Sequence, residues 1–218
     1  MIKVSVFTNE KGKYGNPLGI VIDTEKKISH KERLTITNKS GLSELVFVDN
    51  FNNRKISIYS PKRKISFAGH AVLGAAFFFE KILNKLISKI TTMDKEIDIW
   101  FEGERLWAKG ELSTTPSWWH EKLDFVNDLE MLKGPQSKIQ GHTQLWAWMD
   151  EKKGIIRART FAADWGIPED EANGSGSMRL AAALGRSLII NHGRGSLIHA
   201  RPSGPGYAEI GGLVKILK

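Results

Sequence analysis

The sequence predicts an α+β fold of two similar lobes, each with a sheet wrapped around a central helix. Alternation of apolar and polar residues, which is typical of strands, recurs along the chain from the opening MIKVSVFT onward. A predicted helix is apolar on nearly every side between Ala71 and Phe79, so it must be buried all round. The two halves of the chain also repeat one order, in which a strand and a loop precede a glycine that opens a helix.

Composition limits the classes of protein and of chemistry. The chain has 218 residues, 41% of them hydrophobic, which suffices for one large domain or two small lobes. It has no cysteine, so disulfides, thiolate metal sites and cysteine nucleophiles are excluded. The longest apolar run, AVLGAAFFF, is too short for a bilayer, and the N-terminus lacks a signal-peptide pattern. We therefore expect a cytoplasmic protein with no membrane partner.

The net charge of +8 makes nucleic acid a partner to consider. The lysines and arginines are scattered, however, and the densest cluster, Lys62–Lys64, follows Pro61 and predicts a solvated turn. No zinc-finger, KH or RNP pattern is present. We expect a small anionic substrate and no nucleic acid, and we keep a basic nucleic-acid binder as a lesser alternative.

The first half is predicted to open with a hairpin of residues 2–8 and 18–23 around the turn KGKYGNP. Residues 29–41 predict a helix, since Ser29 and Glu32 form a capping box and Gly41 is a helix stop. ELVFVD and KISIYS predict strands, and the buried helix follows. Residues 89–112 predict two strands around the turn at Glu102.

The second half has a similar plan. Turn residues and a short helix near NDLEMLK precede a hairpin of TQLWAWMD and GIIRARTFA. An Ala-rich helix opened by Gly-Ser-Gly and further strands to YAEIGGLVKIL complete it. We place an N-terminal lobe at residues 1–111 and a C-terminal lobe at 112–218, with the starts of both helices and the active site in the cleft between them.

The Gly-Ser-Gly turn in ANGSGSMRL has several readings. A phosphate loop would need Gly-Lys-Ser/Thr at its end, and a dinucleotide fingerprint would need a third glycine, which is missing. The free N–H groups of a helix start attract any anion, including a carboxylate. The alternative is a plain glycine-rich cap, with Asp170 and Glu171 as partners of the helix dipole.

Two single residues are further candidates. His70 lies in the first turn of the buried helix, where the positive helix end favours a neutral imidazole; the alternative is a hydrogen-bonded core histidine. Glu44 precedes an apolar strand, so burial would raise its pKa and make it a better base; the alternative is an ordinary surface glutamate.

All seven tryptophans lie between residues 100 and 165. Packing in the core is the reading we favour for them, and a wall for a planar ring is the alternative. The histidines have no metal-ligand spacing, so no metal site is predicted.

Six blocks in order resemble the PhzF family of phenazine-biosynthesis isomerases and, more distantly, diaminopimelate epimerase: VFT…GNPLGIVID, GLSELVFV, FAGHAVLGAA, RARTFAADWGIPEDEANGSGSMRLAAAL, GRGSLIHARP and EIGGLVKI. The resemblance implies two lobes, each a barrel-like, mostly antiparallel sheet around a central helix. It also implies a homodimer and a proton shuttle that needs no cofactor. In the family's best-known case the substrate is a dihydro-hydroxyanthranilate ring.

The resemblance also assigns roles to residues. Glu44 matches the family's acid/base, His70 with Gly69 before it matches a histidine that contacts substrate, and Asp170 matches a second acidic residue. The start of the second helix would hold a substrate carboxylate through Gly174, Ser175, Gly176 and Ser177. The epimerases use two cysteines for proton transfer. Because this chain has none, Glu44 is the single candidate for the acid/base.

Departures from the family pattern keep a second function open. The second lobe is short between Glu121 and His142, where a hairpin equivalent to residues 2–23 is expected to be missing. Ala71, Asn173 and Arg179 also replace residues usual in the family. A non-catalytic relative that binds a ligand or partner is therefore the alternative to an isomerase.

Overall fold

The computed structural model describes residues 1–93, 95–134 and 141–217. Fifteen strands in these ranges join into one mixed sheet. They are β1 (Ile2–Thr8), β2 (Asn16–Ile22), β3 (Leu45–Asn50), β4 (Lys55–Tyr59), β5 (Lys64–Ile65), β6 (Lys89–Thr92), β7 (Lys95–Glu102), β8 (Arg105–Glu111), β9 (Trp119–Lys122), β10 (Thr143–Asp150), β11 (Ile155–Ala162), β12 (Ile167–Asp170), β13 (Leu188–His192), β14 (Ser196–Pro202) and β15 (Tyr207–Ile216). The helices are α1 (His30–Ser40), α2 (Gly69–Leu83), α3 (Val126–Glu130) and α4 (Gly174–Leu184). No helix in these ranges has the length and apolar character needed to cross a membrane.

The strand order is symmetrical about the contact between β8 and β15. Outward from that contact, one half runs β8-β7-β6-β4-β3-β2 and the other runs β15-β14-β13-β11-β10-β9. The pair of β2 with β3 and the pair of β9 with β10 hold equivalent places in the two halves, and both are parallel. In the first half β1 lies beyond β2 and also pairs with β15. A short strand is added to each half, β5 to β4 and β12 to β11. The predicted α+β fold with an internal repeat is confirmed, whereas the lobe boundary at residue 111 stays a prediction.

Two details of the strand prediction are wrong. Residues 89–112 form three strands instead of two, because the chain reverses near Met93, whose backbone is left-handed (φ 43°), and β6 pairs antiparallel with β7. The hairpin expected to be missing from the second half is missing only in part. β9 occupies the place of β2, while among the described residues no strand corresponds to β1. The short polar sequence of β9, Trp-His-Glu-Lys, has no recognisable strand pattern.

Helix α2 is the centre of the core of the first half. Ten of its fifteen residues are buried, as the apolar sequence predicts. Gly74 allows β1 and β2 to pack closely on the helix, since a Cβ atom there would lie 2.5 Å from a methyl carbon of Leu18. The helix ends at Asn84, whose left-handed backbone (φ 48°) stops it.

Helix α1 follows its sequence signals closely. The Ser29 hydroxyl accepts a hydrogen bond from the amide of Glu32, and the Glu32 carboxylate accepts one from the amide of Ser29. Gly41 ends the helix in the left-handed conformation. The predicted capping box and helix stop are confirmed.

The loop between β1 and β2 packs against the second half of the chain. The amide of Gly15 donates to the hydroxyl of Ser196 over 2.9 Å. The ring of Tyr14 covers Gly195, where a Cβ atom would lie only 2.6 Å from it. Strand β1 also pairs with β15. These contacts place Asn16, the first residue of β2, beside the start of α4.

Candidate active site

The starts of α2 and α4 face each other. A Cβ atom placed on Gly174 would lie 3.6 Å from Cα of Gly69, so the first residues of the two helices are in near contact. Both helices therefore direct their N-terminal N–H groups and positive dipole ends to one place. Helix α2 has no side-chain cap at Ala68, which leaves its first N–H groups uncovered by a side chain. Such a meeting of two positive ends favours an anion.

Glu44 and His70 meet beside these helix starts. Glu44 comes directly before β3, and His70 is the second residue of α2. The His70 Nε2 atom lies 3.1 Å from Oε2 of Glu44, and the two side chains are only 7% and 17% exposed. Neither atom forms a well-aligned hydrogen bond with any residue that the structure describes. The two side chains therefore face each other as a buried acid–base pair.

The charges of this pair differ from the sequence expectation. Burial alone would raise the pKa of Glu44, but the facing His70 outweighs burial and holds that pKa below its usual range. Burial alone would lower the pKa of His70, but Glu44 and, less strongly, Asp170 raise it above its usual range. The net shift of each pKa is therefore opposite to the expected one, because each prediction left out the other residue.

Asp170 is the third titratable residue of this site, close enough to Glu44 and His70 for their charges to affect its pKa. Its carboxylate accepts hydrogen bonds from Nδ2 of Asn16 and Nδ2 of Asn173, each over 2.9 Å, and from the amide of Ala172. Burial raises the pKa of Asp170, and the charge of Glu44 raises it further despite the bond from Asn173. The structure thus brings together Glu44, His70 and Asp170, which are distant in sequence.

The start of α4 offers fewer free amides than the sequence analysis expected. Oδ1 of Asn173 caps the helix by accepting from the amide of Gly176 over 2.5 Å. The carbonyl of Asn173 accepts from the Ser177 hydroxyl and the Ser177 amide. Gly176 and Ser177 are thus engaged within the helix start. Gly174 and Ser175 keep the first two N–H groups, which by helix geometry have no intrahelical partner.

Trp118 is a residue of this site whose role the sequence analysis did not identify. Its indole Nε1 donates a hydrogen bond to Oγ of Ser175 over 2.9 Å. Since the indole can only donate, Ser175 is the acceptor in this bond and its own proton is free to be donated elsewhere. The tryptophan-rich region was the available signal, but the pairing spans 57 residues and no local pattern encodes it.

Trp118 is part of an aromatic cluster beside α4. The rings of His142 and Trp165 are stacked with centroids 4.1 Å apart, and Trp118 meets both edge-on at 5.3 and 5.0 Å. All three side chains are half-buried. Trp107 and Trp146 by contrast are buried, as core packing predicts. Core packing is therefore confirmed for Trp107 and Trp146, whereas a wall for a planar ring stays a prediction.

Arg179 binds the turn that precedes Trp118. Its Nη2 donates to the carbonyls of Leu112 and Thr115 over 2.7 and 2.9 Å, and its Nε donates to Oγ1 of Thr115. Through these hydrogen bonds Arg179 links α4 to residues 112–115. In the described part of the chain no group of three His, Asp or Glu side chains is arranged to hold a metal ion.

The comparisons with known proteins fall into two sets, one of sequence and one of fold. Residues 4–97 match the family model of the phenazine biosynthesis-like proteins, PhzC-PhzF. Antisense-enhancing sequence 1 of Schizosaccharomyces pombe is 34% identical over 79 residues, and that match covers 34% of this chain and 26% of the yeast protein. The chain thus matches only about a quarter of the length of this relative.

Several solved structures have the same fold over the whole chain. A PhzF-family protein from Bacillus anthracis is 18% identical with a TM-score of 0.79, covering 100% of this chain and 97% of the other. One from Enterococcus faecalis is 16% identical with a TM-score of 0.71, covering 100% and 96%. A hydroxyproline epimerase from Agrobacterium vitis, with bound trans-4-hydroxy-L-proline, is 10% identical with a TM-score of 0.61, covering 100% and 90%. The chain therefore has the fold of the PhzF proteins throughout, and its residues 4–97 match the model of the phenazine biosynthesis-like proteins.

Proposed function

We propose that the protein is a cofactor-independent isomerase in which Glu44 moves a proton on a small carboxylate substrate. One observation carries the proposal: a buried Glu44–His70 pair lies where two helix starts meet. The helix starts attract an anion, and the pair supplies a base and an acid within reach of it. The likeness to PhzF proteins and to a hydroxyproline epimerase supports the same class of reaction.

The substrate carboxylate would lie against the N–H groups of Gly174 and Ser175 and the Ser175 hydroxyl. Its negative charge would offset that of His70 and raise the pKa of Glu44 toward that of an effective base. Glu44 then takes a proton from an activated C–H, and the electron pair of that bond enters the conjugated system. Glu44 returns the proton to a second carbon. Atoms and electrons balance, and no oxidant is required.

His70 and Asp170 have supporting parts in this reaction. Protonated His70 keeps Glu44 ionised before substrate binds and stabilises the negative charge that develops on the substrate. Asp170 is the second acidic group at the site, fixed by Asn16 and Asn173. Since the chain has no cysteine, a mechanism with two thiols has no residues to carry it.

Substitution of Glu44 tests the proposal. A panel of small ring and open-chain carboxylates is incubated with protein in heavy water, and deuterium uptake is followed by NMR. We expect Glu44→Gln to lower the rate of exchange by about a hundredfold or more, because a general base contributes that much. Glu104→Gln, at an exposed position, is the matched control. Exchange by Glu44→Gln at the rate of the control would refute the role of Glu44.

The convergence of Glu44, His70 and Asp170 favours the enzyme over a non-catalytic relative, for which these side chains need not share a space. We also propose that the protein is a homodimer that does not bind nucleic acid and that its active site lies between lobes 1–111 and 112–218. Sedimentation and a binding assay with DNA and RNA at low salt test the first two statements.

A further inference from the structure

A cavity of about 420 Å³ lies at the opposite end of β3 from Glu44. Glu44 precedes this strand and Asp49, which lines the cavity, is near its other end, about 16 Å away at the usual rise per residue. The cavity is on the face of β3 and β4 that α1 covers, so it is separate from the place where α2 and α4 meet. Nothing in the proposed reaction uses it.

The walls of this cavity are rich in positive charge. Of the eight described residues that line it, Lys26, Arg33, Lys55 and Lys64 are cationic and only Asp49 is anionic. The lysines come from three elements: the turn before α1, strand β4 and strand β5. Lys64 belongs to the cluster that the sequence analysis predicted to be a solvated turn. Unlike the exposed Lys62 and Arg63, it is half-buried and faces the cavity.

Both carboxylate oxygens of Asp49, the single acid at the wall, are already hydrogen-bonded within the protein. One oxygen of Asp49 accepts from Nη1 of Arg33 over 2.7 Å, and the other accepts from the hydroxyl of Ser57. Nη2 of Arg33 is bound to Asp23. The remaining Nε of Arg33 is buried with no hydrogen-bond partner among residues 1–93, 95–134 and 141–217. Because this atom has almost no accessible surface, Arg33 contributes positive charge to the wall but no free donor to a ligand.

Lys26 is held in place by its backbone. It takes the left-handed conformation (φ 54°), which is uncommon for a residue with a side chain. Its amide donates to the carbonyl of Asp23, and the Asp23 carboxylate accepts from the next two amides, those of Lys27 and Ile28. The backbone of Lys26 is therefore fixed by hydrogen bonds beside the cavity. Strained positions of this kind occur preferentially where a side chain has a function.

We propose that this cavity binds a small phosphorylated molecule, whose phosphate group is held by Lys26 and Lys64 beside the buried guanidinium of Arg33. Several ammonium groups from separate elements suit a multivalent oxyanion, and Lys is a common phosphate ligand. A single carboxylate would use only part of this charge. The volume accommodates a pyrophosphate group together with part of an attached molecule.

Calorimetric titration of the full chain with pyrophosphate at fixed ionic strength tests the proposal. We expect Lys26→Gln/Lys64→Gln to weaken binding about tenfold or more, because two close charge interactions are lost. Lys85→Gln/Lys152→Gln removes the same charge at exposed positions and should bind like the wild type. If the first variant does not fold, Lys26→Gly replaces it, since glycine suits the positive φ. No binding to wild type, or equal weakening in the control, overturns the proposal.

Further titrations test where pyrophosphate binds and which kind of phosphorylated molecule the cavity prefers. Binding that persists in Glu44→Gln supports a site apart from the proposed catalytic one, whereas its loss there overturns the proposal and leaves the isomerase proposal standing. ATP binding more tightly than pyrophosphate supports a nucleotide as the source of the phosphate, and equal binding supports a simpler phosphate ester. Binding of adenosine alone, or displacement of pyrophosphate by duplex DNA that itself depends on Lys26 and Lys64, would refute a small phosphorylated ligand.

Discussion

Nε2 of His70 lies 3.1 Å from Oε2 of Glu44, in a contact that joins the start of the central helix to the start of β3. Each residue moves the pKa of the other in the direction that preserves its charge. A buried pair of this kind is costly to break, since a lone buried charge would remain. The pair therefore connects the proposed chemistry to the stability of the fold.

The titration of His70 should report its partner directly. In the wild type we expect its pKa to lie above the ordinary value of about 6.5. In Glu44→Gln the carboxylate is absent and burial prevails, so the pKa should fall below that value. NMR of the histidine ring protons across pH measures both, with the His70 signal assigned by its loss in His70→Gln. An unchanged pKa in Glu44→Gln would contradict the charge pair.

Stability should depend on pH through the same pair. The lowered pKa of Glu44 gives a contribution that is present above the ordinary glutamate pKa and is lost as pH falls through the folded value. The raised pKa of His70 gives one that is present below the ordinary histidine pKa and is lost as pH rises through the folded value. Urea unfolding from pH 3 to 9 should therefore show the largest difference between wild type and Glu44→Gln at about pH 4.5 to 6.5. A constant difference across pH would contradict this account.

Local signals explain what the sequence predicted well. The capping box of Ser29 and Glu32 and the stop at Gly41 act within a few residues, and both ends of α1 are where they were expected. The apolar stretch of α2 similarly required burial whatever surrounds it. The short β9 was not predicted, because it is a polar edge strand whose register depends on its parallel partner β10.

The site was predicted less completely, because its charges depend on pairs distant in sequence. Glu44, His70 and Asp170 were each named as candidates and their roles stay a proposal, but the upward shift of the His70 pKa follows from the two carboxylates that face it. The Trp118 bond to Ser175 also joins distant segments. Single residue types cannot reveal such pairs.

Replacement of Trp118 tests the proposed role of Ser175. Trp118→Phe keeps an aromatic ring but removes the indole N–H, so the Ser175 hydroxyl loses the donor that orients it. If the proposed site is correct, the dissociation constant of benzoate, an unreactive carboxylate, should rise about threefold to tenfold, the effect of one hydrogen bond. Trp119→Phe is the control, since Trp119 is 65% exposed. Equal affinities of the two variants in calorimetry would exclude this orientation of Ser175.

Alanine substitutions at two glycines of α2 should have different effects, one on activity and the other on stability. At Gly69 a Cβ atom would have only ordinary contacts, the nearest at 3.4 Å, so Gly69→Ala should fold with nearly unchanged stability. The added methyl group would nevertheless narrow the space between the helix starts, and we expect slower deuterium exchange. At Gly74 the Cβ atom would lie 2.5 Å from Leu18, so Gly74→Ala should cost about 1 to 3 kcal/mol in urea unfolding. A Gly69→Ala protein as unstable as Gly74→Ala would contradict this difference.

Arg33 should contribute strongly to the stability of the first half of the chain. Its guanidinium binds Asp23 and Asp49, each over 2.7 Å, and its side chain is 8% exposed. Arg33→Met retains much of the volume but removes the guanidinium that pairs with two buried carboxylates. We expect a loss of about 3 to 5 kcal/mol in the free energy of unfolding at neutral pH. Lys89→Met, which breaks an exposed pair with Glu96, should cost at most about 1 kcal/mol.

The pH dependence of Arg33→Met should identify the cause of its instability. Burial alone would raise the pKa of Asp23, but Arg33 and the amides of Ile28 and Lys27 hold it below its usual range. This stabilisation is present above the ordinary aspartate pKa and disappears as pH falls through the folded value. The difference between wild type and Arg33→Met should therefore shrink as pH falls below about 4. A difference that stays constant into acid would indicate that the packing of Arg33 on Phe47 and Tyr59 matters more than its charge.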